Sequence, residues 1–213
     1  MLIFGHTGIT LGIATLLNGA VTKGYSPSAK RNKPGKQYNH NAKTLPAHDS
    51  PSTIRTFSFT SLGTRLDIRL LLIGSLLPDI IDKPVGQFFF RETLSNGRIF
   101  GHTLLFLVLI TIAGYYLYRK REKIWLLTLS LGTLIHLILD YMWLTPKTLL
   151  WPIYGLAFER KDLTYLMHRI LQALLTDPSA YVPEIVGFMI LAAFMAVLVR
   201  RKKVYPFTRS GQV

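Results

Sequence analysis

Three histidines and three aspartates in this chain stand inside apolar runs: His6, Asp79, Asp82, His102, His136 and Asp140. His6 lies in LIFGHTGITL, the aspartates in GSLLPDIIDKPVG, His102 in GRIFGHTLLF, and the last two in HLILDYMW. Ionisable groups in such surroundings are costly unless something pairs with them. Neutral imidazole and carboxylate are the ligands that zinc and similar divalent ions accept when no thiolate is offered, and the chain has no cysteine. A bound cation would also offset the cost of burying three carboxylates. The chemistry expected is therefore metal binding, by zinc first and manganese second, with one or two ions. Each residue alone has a plainer explanation. A single histidine can be a packing residue, Asp79 and Asp82 beside Pro78 can mark a helix end, and His136 with Asp140 can be one intrahelical hydrogen bond. The set of six is what favours a metal.

The elements that must position them are read from composition. The chain has 213 residues, 49% of them hydrophobic, and a mean hydropathy of +0.30. Its apolar residues come in blocks separated by charge-rich stretches, the pattern of a multi-pass helical membrane protein. Five segments are expected, near 2–21, 68–82, 99–118, 124–144 and 184–199. The second is short, and Arg69 interrupts it at one end. The first lacks the basic start and small-residue cleavage site of a signal peptide, so it reads as a retained helix; Gly8 and Gly12 suit close helix packing there. Residues 163–175, LTYLMHRILQALL, have the spacing of an amphipathic helix on the outer surface. The fold class is thus all-α, one membrane-embedded domain over 1–213, with 22–66 a basic cytoplasmic insertion whose His40 and His48 are solvated.

Charge gives the orientation. The net charge is +14, which on a soluble protein would suggest nucleic acid. Here the loops 22–66 and 119–123 and the tail 200–213 together hold 17 Lys and Arg, against 7 in loops 83–98 and 145–183. That asymmetry places the basic loops and C-terminus in the cytoplasm and the N-terminus outside. Contact with anionic lipid headgroups accounts for loop 22–66, and no nucleic-acid partner is expected. All six ionisable residues then fall at one depth in the outer leaflet.

Together the motifs FGHTGITLG (4–12), GSLLPDIIDKPVG (74–86), GRIFGHTLLF (97–106), HLILDYMW (136–143) and LLWPIYG (149–155) resemble the YdjM-like, LexA-regulated family of inner-membrane metal-dependent hydrolases. The resemblance implies a multi-helix membrane protein with a hydrolytic metal site, distantly similar to zinc-dependent phospholipase C. It implies metal ligands at His6, Asp79, Asp82, His102, His136 and Asp140. Many members carry a histidine where this chain has Lys83, and a further one before the His102 motif, so two ligands of the pattern are absent.

These readings converge on a metal-dependent hydrolase of the cell's inner membrane. Its substrate would be an ester or phosphodiester in a lipid headgroup. Asp79 or Asp82 would be the general base, and Arg98 a holder of anionic phosphate or a snorkelling interface residue. Trp143, Trp151 and Tyr154 suit an outer aromatic belt; His168 and Asp162 are left to solvent. The alternatives are a proton- or metal-coupled transporter and a non-catalytic membrane protein with a structural metal.

Overall fold

A computed structural model describes residues 2–24, 66–90, 95–158 and 165–211. Among them the fold is all-helical, with no strand. The expected insertion, with His40 and His48, lies almost wholly outside the described residues, as does Asp162.

The helices are α1 (Ile3–Gly24), α2 (Ile68–Lys83), α3 (Leu104–Arg121), α4 (Trp125–Leu139), α5 (Pro146–Leu149), α6 (Leu166–Thr176), α7 (Pro178–Arg200) and α8 (Val204–Ser210). All five expected segments are helical, but their ends move for local reasons. The second is less short than expected, because a π-helical turn, Pro84–Phe89, continues α2 beyond the aspartates. The third begins at Leu104 rather than near 99: Thr103 is its N-cap, its Oγ1 accepting from Phe106 N–H, which leaves His102 in the preceding loop. The fourth stops at Leu139 instead of running on to 144. Asp140 is the C-cap, Tyr141 turns into the left-handed region (φ 53°), and a 3₁₀ turn, Met142–Leu144, follows. The amphipathic segment is α6, with His168 exposed on it.

Among the described residues only α7, 23 residues long, is both long and apolar enough to cross a bilayer by itself; Ile3–Leu16 and α4 are shorter apolar helices. The distribution of polarity is inverted relative to a water-soluble protein. His6, Thr10, Ser75, Asp82, Thr133 and His136 are fully buried, while Leu109 and Ile112 of α3 and Ile185, Phe188 and Met189 of α7 are exposed. An apolar exterior around a polar interior suits hydrocarbon, where every backbone group must be satisfied internally.

Two close helix pairs build the bundle: α2 with α4, and α1 with α7. Further contacts of α3 with α4 and α1 with α2 complete it. Glycines set both pairs. The expected packing role of Gly8 and Gly12 is seen: Gly8 lies against the backbone of Gly187, and Gly12 against the Ile190 side chain. Gly132 of α4 lies against the backbone of Leu71, Gly74 and Ser75 in α2. Adding a methyl there must push two backbones apart, since no side-chain end is available to yield. Gly132→Ala is therefore expected to cost about 1–3 kcal/mol, whereas Gly12→Ala, which meets only the tip of Ile190 at 3.3 Å, should be close to neutral. Thermal unfolding in one detergent compares them; equal midpoints would contradict the close α2–α4 approach.

At one end of the bundle the tail returns to α2. Ile68 N–H donates to the Gly211 carbonyl, and Arg69 bridges the Thr208 carbonyl and the Asp67 carboxylate. Burial pushes the Asp67 carboxyl up, but the Arg69 hydrogen bonds outweigh it and hold the group below its usual range. The opposite end gathers the histidines and aspartates.

Candidate metal centre

Pro78 in the middle of α2 has no N–H to give, so the Gly74 carbonyl loses its helical partner. Thr133 Oγ1 of α4 donates to it at 3.3 Å. One residue on, the Ser75 carbonyl meets His136 Nδ1 at 2.6 Å. A carbonyl only accepts, so Nδ1 carries the proton, and the lone pair is on Nε2. A backbone carbonyl in the turn before Pro78 thus fixes the tautomer and aim of a histidine on the neighbouring helix.

His102 is fixed in the same manner by Asp82. The Asp82 carboxylate, fully buried, accepts from the backbone N–H groups of Ile99 (2.7 Å), Gly101 (2.7 Å) and His102 (3.2 Å). Its Oδ2 also lies 2.7 Å from His102 Nδ1. Both its oxygens are thereby engaged. Asp82 organises the loop before α3 and holds the ring from behind, leaving His102 Nε2 as the free nitrogen.

The two free nitrogens, His102 Nε2 and His136 Nε2, stand 3.1 Å apart. With both Nδ1 atoms protonated neither Nε2 has a proton to donate, so the neutral rings oppose lone pair to lone pair. Only a shared proton or a cation relieves this. The neighbours favour a cation. His102 Nε2 is 3.6 Å from Asp79 Oδ1 and 3.7 Å from Asp140 Oδ2. The His6 ring stacks on His136 with centroids 4.1 Å apart. His6 is fully buried; its Nε2 is 3.1 Å from Asp140 Oδ1, and its Nδ1 makes no hydrogen bond. A buried polar atom left unpaired costs about 1–3 kcal/mol, so the ring has reason to take a ligand.

These residues fit a divalent ion. His6, His136 and Asp140 form one set whose ligand atoms lie within 4.8 Å of one another, and Asp79, His102 and His136 form another. Two nitrogens bound to one tetrahedral zinc stand about 3.3 Å apart, close to what His102 and His136 show. His136 belongs to both sets but has a single free nitrogen, so it can serve only one ion. Five of the six expected ligands face this space, and Asp82 faces away from it. Arg98 pairs with Asp140 at 2.7 Å, and Lys83 with Asp79 at 2.7 Å. The chain thus supplies two cations of its own to the carboxylates.

Sequence reasoning did not find Glu184. Buried in α7, it accepts from Leu2 N–H (2.6 Å) and Phe4 N–H (3.0 Å) and so caps the start of α1. The signal was a lone carboxylate opening an apolar segment, beside a helix start with no cap of its own.

A helical protein with an apolar exterior and a buried His/Asp cluster able to hold a divalent cation is the class that this fold and site define. The chain belongs to the YdjM inner membrane protein family, whose model matches residues 44–204. The match takes in every cluster residue except His6, which α1 contributes from outside it. No curated protein and no solved structure matches the chain.

Proposed function

We propose that this protein is a membrane-bound, metal-dependent hydrolase. It acts on an ester or phosphodiester bond of the kind found in lipid headgroups. The observation that carries the reading is the opposed pair of free nitrogens on His102 and His136, each ring locked through its other nitrogen and flanked by Asp79 and Asp140. One ion, zinc before manganese, would be held by three or four of His6, Asp79, His102, His136 and Asp140, which keeps a position open for water; two built-in cations beside the carboxylates favour one ion over two. A divalent cation supplies acidified water and electrophilic pull on the scissile group.

The protein's residues divide the remaining work. Asp79 is the better base of the two candidates, because Asp82 has given both oxygens to the loop and to His102. Lys83 Nζ donates to Asp79 Oδ2 at 2.7 Å, which leaves Oδ1 turned towards the cluster. Arg98 steadies Asp140 and offers charge to an anionic headgroup. The basic loops and tail are cytoplasmic in this reading, the apolar helices cross the membrane more than once, and the cluster lies at outer headgroup depth.

The test is hydrolysis of short-chain phosphodiester and carboxylic ester lipids by purified protein, before and after chelation. Cleavage that chelator abolishes and zinc or manganese restores is the expected result. Full metal occupancy without turnover of either class would leave a structural metal site. Metal-driven proton flux in liposomes would move the assignment to transport.

A further inference from the structure

A cavity of about 310 Å³ opens beside the cluster. Arg98 and Asp140 lie on its wall, and the rest is mostly apolar: Leu2, Tyr141, Ile170, Ala173, Leu174 and Ala180. Its volume is at the lower bound of small-molecule sites, room for one slender chain rather than a bulky group. The α6 helix separates this cavity from the surroundings. Ile170, Ala173 and Leu174 face the cavity, while Met167, Leu171 and Leu175, one turn apart, are exposed. A helix apolar on both of these faces lies naturally between hydrocarbon and a hydrocarbon-binding space.

We infer that this cavity is the substrate's chain-binding site, and that the substrate is an anionic amphiphile with a single hydrocarbon chain next to a phosphate. The chain lies along Ile170, Ala173 and Leu174, with the phosphate at Arg98 and the metal cluster. The inference rests on the hydrolase reading for the position of the reacting bond. The pocket itself is argued from shape and charge: one apolar wall, one guanidinium and a cation-binding cluster at a common opening. Arg98 already pairs with Asp140; a phosphate adds a second anion beside it and the cation-binding cluster, which a neutral lipid does not. A free phosphate would leave the apolar wall without a partner. Ala173 and Leu174 then determine the chain length accepted.

The test uses full-length protein in phosphatidylcholine nanodiscs, loaded with zinc, with metal content measured on every sample. Equilibrium binding is compared for octyl phosphate, inorganic phosphate and octyl glucoside. Octyl phosphate is expected to bind at least about tenfold more tightly than either of the others, since burying a few methylenes suffices for that factor. Ala173→Phe should remove the advantage while zinc is retained, and Leu174→Ala should shift the preference towards decyl phosphate. Equal binding of octyl phosphate and inorganic phosphate overturns the proposal, as does an unshifted preference in a zinc-loaded Leu174→Ala. If Ala173→Phe fails to hold zinc, Leu174→Ala alone decides. Zinc occupancy and turnover without a chain preference would sink the pocket and leave the hydrolase. Chain-dependent binding without turnover would do the reverse.

Discussion

His136→Ala is expected to leave the purified protein without metal. The imidazole is fully buried between two helices, and it alone belongs to both ligand sets. Its loss removes the shared nitrogen from either arrangement, opens the stack with His6 and leaves the Ser75 carbonyl without its donor. Loss of one outer-shell partner typically costs 10–100-fold in metal affinity; loss of a ligand should exceed about 100-fold. Elemental mass spectrometry of wild type and variant, purified without chelator, reads this directly. Near-stoichiometric metal in the wild type and none in the variant is the expected pair. Equal metal in both would remove His136 from the site, and with it the argument from opposed nitrogens.

Asp82→Ala should act differently, through folding before chemistry. Three backbone N–H groups and one ring N–H lose their acceptor at once, all of them buried. Leaving one such donor unsatisfied costs about 1–3 kcal/mol, so the variant should lose at least about 3 kcal/mol, with a marked fall in thermal midpoint. Asp82→Asn keeps one acceptor oxygen and much of the shape, and should retain the fold. Metal affinity in that variant should fall about 10–100-fold, as for other partners standing behind a ligand. An Asp82→Asn protein with wild-type metal affinity would show that His102 needs no orientation from behind. A complete loss of metal from a stably folded Asp82→Asn would make Asp82 a direct ligand.

The contrast between these aspartates marks where sequence reasoning reached its limit. Residue types and their spacing singled out six residues, five of which line the common space, because ionisable groups inside apolar runs are conspicuous. The apolar blocks located the helices for a similar reason. Spacing could not separate Asp79 from Asp82, three residues apart on one helix. What separates them is the path of residues 96–102, which folds its amides back onto Asp82, and that path is set by tertiary contact. Helix ends were misjudged where short-range polar bonds decide them, as at Thr103, or where a tyrosine takes the left-handed turn that glycine usually takes, as at Tyr141. The pairings of Arg98 with Asp140 and Lys83 with Asp79 differ in the same way. The second was readable as an i,i+4 pair, the first only in three dimensions.

The seating of α1 on α7 has a consequence for the order in which the protein is made. His6 is on a helix made before α2 to α4, while the surface that α1 chiefly packs against, with Glu184 capping its first amides and Gly187 receiving Gly8, belongs to α7, made after them. Until α7 has been synthesised, α1 lacks its main neighbour. The remaining ligands, on α2 to α4 and their flanks, can come together earlier. Assembly of the centre therefore finishes after translation of residue 187, and a nascent chain arrested before that point should bind metal without the contribution of His6.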